Sequence, residues 1–239
     1  DILSPMTEHA SFTPADFFNK EMAQAYDQRN SGLSPISDNL HFLMRLSLAS
    51  LPQDATVLCV GVGTGADIFA LANERADLRF VGVDPSAEML EVASARLEEA
   101  SIAHRCHLVH GYVEDVAQKD FDAVLSLLVA HFVQRPDRPA FYRAIHDRLK
   151  PGGSFVSVEI SGDLDAQTFP GMLEDWKQVH KLMGASEESL ASLGETLRDG
   201  LCVLSYAETE ELWRAAGFPV AVPFFQAFMI RGWHAKKGR

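Results

Sequence analysis

Residues 57–65 read VLCVGVGTG and residues 80–84 read FVGVD. The first apolar run ends in a glycine-rich turn, and the second ends in the carboxylate Asp84. This pattern is typical of a nucleoside-binding βαβ unit, because glycines let a ligand approach the backbone and the next helix offers unpaired N–H groups. A carboxylate that ends the second strand can accept hydrogen bonds from both ribose hydroxyls. The pattern predicts a nucleoside site and leaves open which cofactor occupies it.

Strand-like and helix-like segments alternate through the middle of the chain. The predicted strands cover residues 57–60, 79–83, 106–110, 123–127 and 154–160. Helical patterns lie between them, notably over 86–100 and 138–149. Such alternation predicts a parallel sheet with helices on both faces. Two β-like runs around Pro223, the second over 224–230, leave no room for a crossover helix, so they predict an antiparallel hairpin at the sheet edge.

Helical periodicity outside this region divides the chain into four expected parts. Patterns over 17–26 and 36–51, separated by a loop at 31–35, predict helices before the first strand. A second helical stretch over 163–200 is expected to cover an acceptor. Residues 1–50 are expected to form a helical lead-in or cap, and residues 51–161 the core. Residues 162–204 are expected to form a helical insertion, and residues 205–239 a closing helix with the hairpin.

Composition narrows the classes of function. The formal net charge of −12 disfavours a large nucleic-acid footprint, which needs clustered Lys and Arg. Three widely spaced cysteines show no zinc spacing and predict reduced thiols. The longest apolar run, 124–133, is too short to span a bilayer, and the first residues show no charged-then-apolar leader. We expect a cytoplasmic protein that acts on a small molecule, without a metal, a membrane or nucleic acid as partner.

The cofactor is decided by motifs beyond the glycine loop. Residues 61–66 (GVGTGA) also satisfy the dinucleotide fingerprint G-x-G-x-x-G/A, so NAD must be weighed, and a tight turn alone explains some such matches. Together with that loop, residues 82–90 (GVDPSAEML), 121–126 (FDAVLS) and 149–155 (LKPGGSF) resemble class I S-adenosylmethionine (SAM)-dependent methyltransferases. The resemblance spans roughly residues 17–161 and 205–233.

That resemblance implies a fold, a cofactor and a reaction. The implied fold class is α/β, with a Rossmann-like, doubly wound, seven-stranded sheet that is mostly parallel and ends in the antiparallel C-terminal hairpin. The implied cofactor is SAM and the implied product is S-adenosylhomocysteine (SAH). We expect methyl transfer to a small, apolar or aromatic acceptor.

A narrower likeness lies in the second half of the chain. Residues 175–188 and 217–228 are similar to carboxy-SAM synthase, which builds a carboxylated SAM from SAM and prephenate for tRNA wobble-uridine modification. Where that family has an arginine that contacts the added carboxylate, an adenine-contacting aspartate and a strand-four asparagine, this chain has Leu212, Tyr112 and Ser126. These departures favour methyl transfer and keep two alternatives open: carboxy-SAM synthesis, and SAM binding without catalysis. Analogy with this family also suggests a homodimer.

The resemblance assigns a role to each candidate cofactor contact. The glycine loop would meet the methionine part of SAM, Asp84 the ribose, and Pro85 and Met89 the adenine faces. Tyr112 and Val113 would bracket the adenine edge, while Tyr26 would close over the methionine part. The full set of expected cofactor contacts is Gly61, Val62, Gly63, Thr64, Gly65, Asp84, Pro85, Met89, Tyr112, Val113, Ser126 and Tyr26.

Two further residues bear on catalysis. His131 follows the fourth strand at the carboxyl edge, where open α/β sheets bind ligands, so it is the candidate base or acceptor-orienting group. A structural histidine at a strand end is the competing interpretation. Cys59 stands where many methyltransferases carry an acidic residue, and we interpret it as an inert buried thiol.

Overall fold

The computed structural model describes residues 31–238. The helix predicted over 17–26 and the expected contact Tyr26 lie outside this range. Seven strands form one sheet: Thr56–Val60 (β1), Arg79–Asp84 (β2), Cys106–His110 (β3), Phe121–Leu127 (β4), Leu149–Ile160 (β5), Val222–Ala227 (β6) and Ile230–Lys236 (β7).

The sheet has the order β3-β2-β1-β4-β5-β7-β6. The first five strands pair in parallel, whereas β7 lies between β5 and β6 and is antiparallel to both. The predicted fold class is therefore confirmed, including the antiparallel edge hairpin. The chain reverses its direction of travel across the sheet between β1 and β4, and ligands of open α/β sheets bind at this point, beyond the carboxyl ends of the strands.

Helices cover both faces of the sheet. They are Ser34–Ser47 (α1), Ala66–Ala72 (α2), Ala87–Glu99 (α3), Arg138–Arg148 (α4), Phe169–Leu182 (α5), Glu187–Glu195 (α6) and Tyr206–Ala216 (α7). Met44 of α1 and Ile68 of α2 belong to one buried apolar cluster, and Ile145 of α4 and Trp213 of α7 belong to the other. No helix within residues 31–238 has the length and apolar character that a membrane crossing requires.

Local signals set several helix ends where the sequence placed them. Ser86 caps α3, because its hydroxyl accepts a hydrogen bond from the Met89 N–H at 3.2 Å. Gly217 ends α7 in the left-handed region at φ +106°. The loop predicted at 31–35 is wrong in part: residues 31–33 form a 3₁₀ turn, and Pro35 lies in the first turn of α1, where no N–H is needed.

The predicted boundary within the C-terminal hairpin is also wrong. The second run was expected over 224–230, but the turn falls at Phe228 and Met229, between Ala227 and Ile230. Pro223 lies inside β6, and an edge strand tolerates a proline. Phe228 makes the turn with φ +52°, although it is not a glycine or an asparagine.

The segment that holds the helices after β5 begins and ends at neighbouring positions beside the sheet. Ser161 and Leu204 form an isolated parallel bridge, and the Gly162 N–H donates to the Leu204 carbonyl at 3.0 Å. Helices α5 and α6 and a π turn at Thr196–Gly200 lie between these stems. The helical content expected over 163–200 is thus confirmed.

Candidate cofactor site

A cleft opens beyond the carboxyl ends of β1, β2 and β4. It holds about 810 Å³ of empty space, part of it open to solvent. The predicted cofactor contacts that line it are Gly61, Gly63, Asp84, Pro85, Met89, Tyr112 and Val113. The strand–turn–helix units therefore bring the motifs after β1, β2 and β3 to one surface.

The glycine loop packs against the turn that follows β4, and its glycines have left-handed backbone angles. Gly61 has φ +64°, and a Cβ there would clash with the side chain of Val129. Gly63 has φ +52°, but a Cβ there would meet nothing within 4 Å. Gly61 is therefore required by the protein's own packing, whereas the space at Gly63 faces the cleft and fits the close approach of a ligand.

Asp84 is the buried carboxylate of the cleft, with 7% of its surface exposed. Oδ1 accepts the Ser86 N–H and Oδ2 accepts the Gly63 N–H, both at 2.9 Å. Burial raises the pKa of this carboxyl, and the two N–H donors oppose the rise. Because a carboxylate oxygen has two acceptor positions, each oxygen retains one for a ribose hydroxyl.

The predicted adenine contacts form an apolar slot beside Asp84. Met89 and Val113 are buried, each at 2% exposure, while Tyr112 is half exposed. The Tyr112 N–H donates to Asp115 Oδ2 at 2.8 Å, which fixes the backbone after β3. The Pro85 carbonyl lies 3.0 Å from His110 Nε2. The apolar walls and fixed backbone fit a flat heteroaromatic ring.

Three expected contacts of the glycine loop do not line the cleft. Val62 is directed at β2, where its methyl carbons lie 3.0 Å from the position of a Cβ on Gly82. Thr64 is buried, and its carbonyl accepts a hydrogen bond from Arg96 Nη1 at 3.0 Å. Gly65 is the left-handed N-cap of α2. These residues shape the loop from behind.

Ser126 is fully buried in β4, opposite Val60 of β1. Its hydroxyl has no hydrogen-bond partner among the described residues. Buried polar groups without partners are rare in proteins. Its neighbours Val60 and Leu127 line the cleft, but Ser126 itself does not, so the structure leaves this predicted cofactor contact behind the cleft surface.

The structure places the candidate base away from the cleft lining. His131 is 2% exposed, and its Nδ1 accepts the Ile160 N–H at 3.3 Å. Burial, followed by the charge of Arg138, lowers the pKa of His131 to about 3. This environment fits a neutral structural histidine and gives no support to the predicted catalytic role.

Cys59 is buried behind the glycine loop. Burial raises the pKa of its thiol well above the ordinary value, and the nearby Asp67 raises it further. A thiol kept protonated is a poor nucleophile. Its position therefore agrees with the interpretation as an inert core residue.

Sequence reasoning missed the apolar half of the cleft. These lining residues end β4, follow it or belong to α4: Leu127, Leu128, Val129, Phe132, Val133 and Phe141. Their pattern is that of ordinary core residues, so periodicity does not single them out. The unusual one is Leu128, which has φ +59° directly after β4.

Comparison with known proteins agrees with this geometry. Residues 57–153 match the sequence family described as "Methyltransferase domain". This match supports a class I SAM-dependent methyltransferase domain over these residues. The cofactor of this domain is SAM, and the glycine loop and Asp84 are the features that fit this group.

Curated relatives of this chain carry a more specific name. The carboxy-S-adenosyl-L-methionine synthase of Desulfotalea psychrophila is 23% identical, over 92% of this chain and 91% of the relative. The enzyme of the same name from Campylobacter curvus is 29% identical, over 70% of this chain and 71% of the relative.

Solved structures similar to this chain share its fold. A putative O-methyltransferase from Nostoc punctiforme has a TM-score of 0.66 at 20% identity, covering 91% of this chain. This chain spans 59% of the length of that protein. The geranyl diphosphate C-methyltransferase of Streptomyces coelicolor, solved with SAH, has a TM-score of 0.61 at 14% identity, covering 84% of this chain and 76% of its own.

Proposed function

We propose that the protein transfers the methyl group of SAM to a small, apolar or aromatic acceptor without negative charge. The observation that supports this proposal is the chemistry of the cleft. Its described lining contains no Lys or Arg, and its charged side chains are the carboxylates Asp84 and Glu114. An anionic acceptor would meet repulsion there, whereas apolar walls favour a hydrophobic ring or chain.

In this proposal the chain acts by positioning. SAM supplies an activated methyl group on its sulfonium, so little covalent help is needed. Asp84 holds the ribose, and the loop at Gly63 holds the methionine part against the sheet. Fixing the acceptor in line with the methyl group accounts for up to about 7–11 kcal/mol of barrier reduction.

The acceptor side is assigned to the helical insertion, residues 162–204. Its stems at Ser161 and Leu204 adjoin the carboxyl end of β5, next to the cleft strand β4. Covering the acceptor from this side would exclude water from the reacting atoms. With His131 buried, the proposal assigns no protein base, so acceptors that are already nucleophilic at neutral pH are favoured.

The proposal is tested by product analysis. Purified protein is incubated with SAM and a panel of neutral aromatic and apolar acceptors, and SAH release is followed by mass spectrometry. We expect SAH and a methylated product for at least one neutral acceptor, and neither with Asp84→Ala. Turnover restricted to anionic acceptors would contradict the proposal.

Carboxy-SAM synthesis is the second candidate, because the curated relatives bear that name. It predicts that prephenate raises the mass of SAM by one carboxyl group and releases no SAH. An unchanged cofactor mass would remove this candidate. Tight SAM binding without transfer to any acceptor, and without a mass change, would instead support a binding module.

A further inference from the structure

Arg138 and Glu159 form a salt bridge that is completely buried. The side chains are 0% and 1% exposed, and Arg138 Nη1 lies 3.0 Å from Glu159 Oε2. Arg138 begins α4 and Glu159 lies near the end of β5. The desolvation cost of such a pair often exceeds its Coulombic gain, so stability alone is a weak reason for its presence.

The guanidinium makes two further contacts that reach other parts of the chain. Nε donates to the Val133 carbonyl at 3.0 Å, and Nη2 donates to the Cys202 carbonyl at 2.8 Å. Val133 lines the cofactor cleft, whereas Cys202 lies on the returning stem of the insertion. One rigid fork therefore joins the cleft wall, the end of β5 and the stem of the insertion.

The carboxylate of Glu159 has hydrogen-bond partners besides Arg138. Glu159 Oε1 accepts hydrogen bonds from the Tyr142 hydroxyl at 2.6 Å and from the Ser157 hydroxyl at 2.9 Å. Arg138 Nη1 also donates to the Tyr142 hydroxyl at 2.9 Å. These bonds fix the fork in one orientation, which a point charge on a flexible chain would not do.

Neighbouring bonds run between the same segments. The His131 carbonyl accepts the Cys202 N–H at 2.8 Å, and the Ser161 hydroxyl donates to the Leu204 carbonyl at 2.7 Å. The turn after β4, which carries the cleft residue Phe132, is thus bonded to the stem of the insertion. Movement of one segment is transmitted to the other through short polar contacts.

We propose that Arg138 is a positioning residue that couples the cofactor cleft to the insertion. A cofactor that packs on the turn at residues 128–133 orders the Val133 carbonyl, and Arg138 passes this order to residues 200–204. Binding of SAM then holds the insertion in place for the acceptor. The proposal rests on cofactor binding in the cleft and is independent of which acceptor is used.

The test is amide hydrogen exchange with and without SAH. In the wild-type protein we expect saturating SAH to slow exchange about tenfold both at 128–133 and at 200–204, equivalent to about 1.4 kcal/mol at each segment. Arg138→Lys keeps a positive charge beside Glu159 but cannot reach Val133 and Cys202 together. In this variant we expect protection at 128–133 to persist and protection at 200–204 to fall well below tenfold, with a residual part carried by the direct bond from the Cys202 N–H to the His131 carbonyl.

A matched control comes from the same helix. Arg148 is also buried, and it donates to the Val116, Ala144 and Glu114 carbonyls but to no atom of the insertion. Arg148→Lys should therefore retain the response to SAH at 200–204. Calorimetric titration with SAH runs in parallel, so that a failure of cofactor binding is distinguished from a failure of coupling.

A second variant guards against loss of folding. Arg138→Met combined with Glu159→Met removes both charges together and leaves no unpaired buried ion. We expect this double variant to fold, to bind SAH and to show at 200–204 only the reduced response of Arg138→Lys. The proposal is overturned if SAH leaves 200–204 unprotected in the wild-type protein, or if a folded, SAH-binding Arg138 variant keeps the full wild-type protection at 200–204.

Discussion

Asp84 is the residue on which cofactor recognition depends most directly. Two backbone N–H groups orient its carboxylate, and charge-assisted hydrogen bonds to two ribose hydroxyls are each worth about 1.5–3 kcal/mol. We therefore expect Asp84→Ala to weaken SAH binding at least a hundredfold, an estimate of about 3 kcal/mol or more, measured by isothermal titration. Asp77→Ala, which removes a surface carboxylate paired with Arg75, should leave the affinity unchanged. Equal affinity for SAH in Asp84→Ala and the wild type would refute the ribose assignment.

His131 makes the stability of the protein sensitive to acid. Its folded-state pKa of about 3 lies below the ordinary value of 6.5, so the unfolded state binds the proton more tightly. Stability is therefore full above about pH 6.5 and is lost as the pH falls toward 3, at about 1.4 kcal/mol per pH unit. In His131→Asn the amide oxygen can accept the Ile160 N–H. Denaturant titrations at pH 7 and pH 5 should show about 2 kcal/mol less acid destabilisation in this variant than in the wild type.

The same variant tests the catalytic hypothesis for His131. If the residue is structural, His131→Asn retains SAH release at pH 7 with the acceptor found in the panel. Loss of turnover with unchanged SAH affinity would instead restore the role predicted from the sequence.

At this scale, the sequence reveals residues whose backbone or charge is unusual, and it hides the direction of side chains. Gly63 and Asp84 carry their own signal, because a left-handed turn and a buried carboxylate need particular residue types. His131 sits at the expected strand end, yet the turn after β4 points its ring into the interior. A one-dimensional pattern fixes the position of a residue more readily than the face on which its side chain lies.

Among the elements, the junction of α7 with α4 depends on a single glycine. Gly217 has φ +106°, and a Cβ there would lie 2.6 Å from His146 Nε2. Gly152 has φ +76°, but a Cβ there would meet nothing within 4 Å. Gly152→Ala should therefore show only the backbone cost, about 1–2 kcal/mol in chemical denaturation. We expect Gly217→Ala to lower the free energy of unfolding by more than this, because His146 must also move. Equal losses of stability in the two variants would contradict the contact with His146.

The hairpin shows why element boundaries are harder to predict than element types. The antiparallel pair was predicted because the chain between two β-like runs was too short for a crossover. Its turn was misplaced because Phe228 and Met229 are apolar and continue the run of residues 224–227. Phe228 adopts φ +52° although the sequence offers no glycine or asparagine there, so tertiary packing overrides the local preference.

For the whole molecule, the order of the strands determines which distant segments meet. The reversal of direction between β1 and β4 brings the glycine loop, Asp84 and the turn at 128–133 to one cleft. The sequence predicted the first two because their motifs are local. Arg138 connects Val133, five positions away, with Cys202, which is 64 positions away along the chain. No local sequence pattern predicts a contact over the longer separation.

Cofactor binding should stabilise the molecule as a unit, because the cleft is built from the ends of central strands. A ligand at one hundred times its Kd adds about 2.7 kcal/mol to the free energy of unfolding. For a chain of this size that corresponds to a rise in Tm of about 5–10 °C, which differential scanning fluorimetry with SAH would detect. NAD at the same concentration should leave Tm unchanged, since residues 57–153 match a methyltransferase domain. A shift with NAD and none with SAH would show that the cleft holds a dinucleotide.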